Sequence, residues 1–311
     1  MRRWSCKSHD RPFAGFAIST ASESAAALGT SRAERYWRGD ASLIHTNLEG
    51  TKDIAPSASV RIYHFAGTQH SSGTLPLTDT NPIDGARGQQ KFNSVDYTPL
   101  LRAALVRMDQ WVTEQEVPPP SRYPQLADGT AVPPEQPKRV FTALPAVGFP
   151  AHLPQVRRLD FGAAAEPRVA AKLPPEAGEP YPHFVPAVDE DGNEVSGVRL
   201  PDLTVPLATY TGWNLRHLQI GAPDQLMSLM GSTIPFPATR RDREAGGDPR
   251  PSISERYPSK TDYLAQVRRQ AQRLVEDGHL LADDLELVVE QASRRYEILL
   301  EHVRDPVSAS D

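Results

Sequence analysis

The stretch Val60-Arg-Ile-Tyr-His-Phe-Ala-Gly-Thr-Gln-His-Ser-Ser-Gly73 decides how the rest of the chain is read. β-Branched and aromatic residues crowd Val60 to Phe65, a composition that fits a pleated, half-buried strand, and Gly67 supplies its end. The strand delivers His70 on a small-residue loop. A helix is predicted to follow near Ser94 or Thr98, with Pro99 at its first positions. Leu101, Ala104, Leu105, Met108 and Val112 are expected to form its one apolar stripe. Strand, turn, histidine and helix make one unit of an α/β fold, where reacting groups collect at the carboxyl edge of the sheet. A histidine there is a general base if a nucleophile and an orienting carboxylate come within hydrogen-bond reach. Otherwise it is a loop side chain making surface or structural hydrogen bonds.

Upstream lies Ser31-Arg-Ala-Glu-Arg-Tyr-Trp-Arg-Gly-Asp-Ala-Ser-Leu-Ile-His45. Glu34 precedes Tyr36 and Trp37, an aromatic pair able to shield a carboxylate from water. Asp40 offers a second acid and His45 a second imidazole. An acid followed by a strand-borne histidine matches the last two members of a Ser, Asp/Glu, His order. The first member is missing, because no Gly-x-Ser-x-Gly occurs in the sequence. Gly29-Thr-Ser31 and Gly231-Ser232-Thr imitate it without the second glycine, and Ser232 follows the histidine, the wrong order. Cys6 has neither a neighbouring base nor a helix start.

Downstream, proline sets the organisation. Of the 30 prolines in 311 residues, five precede residue 117, eighteen lie within 117–206 and seven follow. Proline lacks a backbone donor and biases the residue before it, so the middle can hold neither long helices nor central strands. Leu144, Val147, Phe149, Phe161, Tyr181, Phe184 and Val185 argue against a solvated linker, and 117–206 reads as an ordered wrap around a scaffold. Its one clear hairpin turn is Val188-Asp-Glu-Asp-Gly-Asn-Glu-Val195. A helical tail follows over 259–303. One helix is capped by Ser259 and carries Tyr263, Val267, Ala271 and Leu274 up to Gly278. The other starts near Asp283 and carries Leu285, Val288, Val289, Ala292, Tyr296, Leu299 and Val303. Arg268, Arg269, Arg294 and Arg295 are assigned to solvated faces.

A net charge of −5 excludes a strongly basic nucleic-acid binder and gives no membrane-surface signature. No apolar run approaches a membrane span, and a single cysteine rules out an intramolecular disulfide framework. The Met1 to Lys7 start is basic, but the run Pro12 to Ile18 is broken by proline and glycine. It makes a poor secretion signal, so a cytoplasmic location is expected. Residues 19–31 read as a frayed helix or disorder. Metal readings are weak: Asp79-Thr-Asn-Pro-Ile-Asp-Gly85 misses a calcium-loop ligand position, and a centre on His64, His70 and Asp79 is the third-ranked alternative. Arg87 is a candidate partner for a carboxylate. No phosphate-cradling loop occurs, and no cofactor is expected.

Five segments carry a resemblance: Tyr36 to His45, Phe65 to His70, Gly85-Ala-Arg-Gly-Gln-Gln-Lys-Phe-Asn-Ser94, Phe149-Pro-Ala-His-Leu-Pro154 and Pro206-Leu-Ala-Thr-Tyr-Thr-Gly-Trp-Asn-Leu-Arg216. Over about residues 31–303 the chain resembles large bacterial α/β-hydrolase domain-containing proteins, most of them uncharacterised. The resemblance implies an α/β, hydrolase-like fold of which this chain holds the last core strand and helix, with 1–30 an unassigned head and 304–311 a tail. It also implies that His70 is the base and Glu34 its acid, with Asp40 in reserve, and that the nucleophile elbow lies upstream of the segment present. The expected activity is serine-type hydrolysis of an ester or related acyl bond in a small-molecule substrate, absent from this chain alone. The missing amino-terminal half is an expected partner. The alternative is a non-catalytic interaction or scaffold protein derived from a hydrolase.

Overall fold

A computed structural model describes residues 26–163 and 169–304. The basic start, the Pro12 to Ile18 run, Cys6 and residues 305–311 lie outside the described residues. In chain order the strands are β1 (Ala27–Arg32), β2 (Val60–Phe65), β3 (Lys91–Phe92), β4 (Ala131–Val132), β5 (Arg157–Asp160), β6 (Glu176–Pro180), β7 (Val185–Pro186), β8 (Ala208–Thr211) and β9 (Ser232–Pro235). The helices are α1 (Ala33–Trp37), α2 (Thr98–Glu114), α3 (Glu135–Thr142), α4 (Pro201–Thr204), α5 (Arg240–Gly246), α6 (Ile253–Arg256), α7 (Lys260–Glu276) and α8 (Leu285–Arg304).

The strand read first from sequence is the structural axis. β1 pairs with β2 in parallel, from Ala27 opposite Val60 to Arg32 opposite Phe65. Parallel bridges from Tyr63 to Arg122 and from Phe65 to Val198 occupy the other edge of β2. Of residues 19–31, expected as frayed helix or disorder, 27–31 are strand, and 19–25 lie outside the described residues. Ala27, Gly29 and Ser31 give this segment a weak β preference, and pairing with β2 overrides it. A second sheet runs antiparallel in the order β3-β9-β8, while β4–β7 and β5–β6 are two-stranded.

The helices settle on this frame with two departures from expectation. On α2 the buried residues are Pro99, Leu100, Ala103, Ala104 and Trp111. Leu105 and Val112 of the predicted stripe are 72% and 51% exposed, so the packed face is rotated away from it. Small Ala103 and Ala104 allow close approach, α2 contacts β1, and Trp111 carries the Arg61 guanidinium over its ring. On α8, Arg295 is buried rather than solvated, and its Nη1 lies 2.7 Å from Asp202 of α4. Position 295 sits three residues after Ala292 and four before Leu299, which puts it on the core stripe. The Asp202 carboxylate offsets the charge that this placement buries. Arg268, Arg269 and Arg294 are exposed, and Arg268 pairs with Glu286 of α8.

Ser259 caps α7 by accepting the Asp262 N–H, and Tyr263, Val267, Ala271 and Leu274 are buried. They join β2, α2, β8 and α8 in the main core. A second cluster joins Trp37 of α1 to Phe141, Leu144, Val185, Trp213 and Leu215, with Phe149 packed against it. It unites the proline-rich stretch with the scaffold. Among the described residues no helix is long and apolar enough to cross a membrane.

Candidate active site

β1 and β2 end side by side, with Ser31 opposite His64 and Arg32 opposite Phe65, and each strand then releases one half of the site. β1 passes straight into α1, which carries Glu34. β2 passes into the turn Ala66 to Gln69, which carries His70. Gly67 makes this turn: its φ is +62°, and an added Cβ would lie 2.7 Å from Leu203. The Glu34 N–H donates to the Thr68 carbonyl at 3.3 Å, tying the two segments together.

The sequence-predicted pair meets there. His70 Nδ1 lies 3.0 Å from Glu34 Oε1. The carboxylate only accepts, so Nδ1 donates in this bond, and in the neutral ring Nε2 is then the nitrogen with the free lone pair. Glu34 is 2% exposed while the His70 side chain is 43% exposed, so a buried acid holds an accessible imidazole. Glu34 Oε2 is buried without a hydrogen-bond partner, and the nearest cation, Arg38 Nη1, stands 4.0 Å away. Among the described residues nothing hydrogen-bonds His70 Nε2.

The His70 loop is pinned along its backbone. His70 N–H donates to the Leu229 carbonyl at 3.2 Å, and Tyr97 donates its hydroxyl to the His70 carbonyl. Gln69 Oε1 accepts the Gly231 N–H at 3.0 Å. Asn93 Nδ2 bridges the carbonyls of Gly67 and Thr211. On the other side Gly212 abuts α1, where an added Cβ would lie 2.5 Å from the Glu34 nitrogen. The first half of the site is thus clamped between β8 and the β2 turn.

The remaining predicted residues disperse. Asp40 is exposed and makes no bond to His70, leaving Glu34 as the acid that faces the imidazole. His45 is fully buried and shares a 2.9 Å hydrogen bond with the Tyr36 hydroxyl, and burial pushes its pKa down to about 4. Burial also raises the Tyr36 phenol well above its ordinary value. Ser31 and Ser232 are both turned elsewhere. Ser31 lies 3.4 Å from His64 Nδ1, and Ser232 donates to the Trp213 carbonyl at 2.7 Å. Arg87 does partner a carboxylate, that of Asp79 at 3.3 Å, and Lys91 Nζ lies 3.7 Å from the same acid. Desolvation raises the Asp79 pKa, but these two cations outweigh it and hold the group below its usual range. His64, His70 and Asp79 therefore have three different partners, and no group of three potential ligands converges among the described residues.

Two features escaped sequence reading. Glu194, inside the predicted hairpin turn, bonds His64 at 2.8 Å across 130 residues. Tyr97, at the start of α2, holds the His70 carbonyl. Neither lies in a local pattern that signals chemistry, since both contacts exist only through tertiary packing. A cavity of about 520 Å³ opens within the proline-rich stretch, lined by Pro133, Pro134, Phe149, Tyr181 and His183 among others. Neither His70 nor Glu34 lines it, although His183 donates to the Tyr36 carbonyl of α1 at 2.6 Å. Burial lowers the His183 pKa, outweighing the bond to the Tyr36 carbonyl that raises it.

A family model described as "Alpha/beta hydrolase domain" matches residues 39–290. That span includes His70 and Glu194 and begins five residues after Glu34. Neither the curated proteins nor the solved structures yield a match.

Proposed function

Since the chain belongs to the alpha/beta hydrolase domain family, with a hydrolase-like fold, we propose that it carries the base-and-acid half of a serine-type hydrolase acting on ester or related acyl bonds. The observation that supports this most directly is the 3.0 Å bond between buried Glu34 and half-exposed His70. In this reading His70 Nε2 takes the proton of a serine hydroxyl as its oxygen attacks the acyl carbon, then gives it to the leaving alkoxide. Glu34 holds the tautomer and stabilises the imidazolium that forms in between. Water hydrolyses the acyl-serine by the same route in reverse.

The serine is proposed to come from outside these 311 residues, because the sequence holds no Gly-x-Ser-x-Gly and both imitating serines are bonded away from His70. The purified chain is expected to leave short p-nitrophenyl esters intact. Co-expression with the polypeptide specified immediately upstream in the DNA is expected to produce turnover that His70→Ala abolishes. Robust turnover by the chain alone, lost in His70→Ala, would overturn the assignment of the serine. Turnover in the pair that survives His70→Ala would overturn the base. An inert but tightly associated pair would favour the scaffold reading instead.

A further inference from the structure

A second histidine–glutamate pair is built on the same strand, six residues before His70. His64 Nε2 and Glu194 Oε2 are 2.8 Å apart, and both side chains are inaccessible, at 0% and 3% exposure. Glu194 Oε2 also accepts the Gly67 N–H at 2.7 Å. The other face of the imidazole, Nδ1, meets the Ser31 hydroxyl at 3.4 Å. These contacts fall at matched places. Gly67 lies three residues before His70 on one strand exit, and Ser31 lies three residues before Glu34 on the other. One carboxylate and one ring thus span the two exits that must agree in position for Glu34 to reach His70.

The carboxylate is itself rigidly mounted. Its neighbour Asn193 donates to the Ala208 carbonyl at 3.1 Å and accepts the Tyr210 N–H at 2.9 Å, fastening the hairpin to β8. Asp191 in the same hairpin is held by the Arg256 guanidinium of α6. The Tyr36 ring packs edge-on against His64 at 4.8 Å, so α1 is seated on the imidazole as well. Burying a carboxylate against an imidazole is weak evidence for a gain in stability, because desolvation offsets most of the attraction. Its geometry offers a different rationale.

We propose that Glu194, acting through Gly67 and His64, is a positioning residue that sets the Glu34–His70 hydrogen bond, so that the hairpin of the proline-rich stretch tunes the site. This rests on the Glu34–His70 pair of the proposed function, but its test needs no turnover. In the ¹⁵N-labelled full chain, the His70 Nδ1 proton bonded to a carboxylate gives a downfield imidazole signal, assigned by its absence in His70→Asn. Glu194→Leu, which keeps volume but removes both acceptor bonds, is expected to lose that signal. Glu194→Gln, whose amide oxygen can accept from both Gly67 and His64, is expected to retain it. Should leucine prevent folding, Glu194→Asp withdraws the carboxylate by one methylene in a polar background and is expected to lose the signal too. A folded leucine or aspartate variant with the wild-type signal would overturn the proposal. Loss in the glutamine variant as well would overturn it by showing sensitivity to any change at 194. Absence of the signal from the wild-type chain would instead remove the Glu34–His70 pair on which the proposed function stands.

Discussion

Two histidines six residues apart each face one glutamate, yet the pairs differ in almost every physical respect. His64–Glu194 is closed to solvent, and its shared oxygen accepts two donors. Glu34–His70 is open on the imidazole side, and its second carboxylate oxygen has no hydrogen bond, only Arg38 Nη1 at 4.0 Å. The cause is their place on one strand. His64 is still within β2, enclosed by β1 on one edge and by the Arg122 and Val198 segments on the other. His70 lies beyond the Gly67 turn, where the sheet has ended. The same chemistry is thus structural inside the sheet and available at its rim, which is the general lesson of carboxyl-edge sites in α/β proteins.

That contrast is most strongly tested by breaking the enclosed pair. Glu194→Ala strips His64 of its acceptor and leaves the Gly67 N–H buried without one. Leaving two buried donors unsatisfied costs about 1–3 kcal/mol each, so the urea midpoint should fall steeply or the chain should fail to fold. A loss below about 1 kcal/mol would show that water reaches this site and that the enclosure is not real.

The two pairs were also unequally legible in the sequence. Glu34 and His70 each sit in a local pattern, an acid before two large aromatics and a histidine just past a strand, and the family resemblance then singled out Glu34 over Asp40. Glu194 belongs to a run of acidic turn residues whose spacing reports only the hairpin, and its partner is 130 positions away. Helix α7 was readable to its cap because Ser259 and the apolar period agree. The face of α2 was not, since Leu105 and Leu101 are as apolar as Leu100, and the choice is made by how closely alanines let the strands approach. Arg295 was misread by residue type, although its spacing from Ala292 and Leu299 already placed it inside.

His45 and His279 differ from both pairs in hydrogen-bonding no carboxylate. His45 and His279 are both pushed down to about 4, chiefly by burial. Asp53 partly opposes this at His45 while His64 adds to it; at His279, Arg122 and Arg107 add and Asp277 opposes. Their unfolded value is near 6.5, so the unfolded chain binds protons first. Stability from these rings is full above about pH 6.5 and is lost progressively down to about pH 4. The shift corresponds to at most about 3 kcal/mol per ring. His279→Phe, which preserves an aromatic edge toward Tyr63, should flatten its share of the decline, measured as urea midpoints between pH 7 and pH 4. An unchanged slope would show that His279 is not the group taking up protons.

The smallest effect on stability is expected at the open pair, and there stability and function should separate. In Glu34→Gln the amide oxygen still accepts from His70 Nδ1, and the orphaned Oε2 has no hydrogen bond to lose. The charge removed was buried beside an imidazole that water already reaches. The urea midpoint should therefore move by no more than the equivalent of about 1 kcal/mol, in either direction. Turnover by the co-expressed pair should nevertheless fall by about 10³-fold or more, because a neutral amide cannot stabilise the imidazolium that forms as the serine attacks. A large stability loss would make Glu34 a structural residue like Glu194, and unchanged turnover would remove it from the reaction. Only a silent midpoint together with a collapsed rate keeps the two pairs in different roles, one holding the strand exits and the other working at their edge.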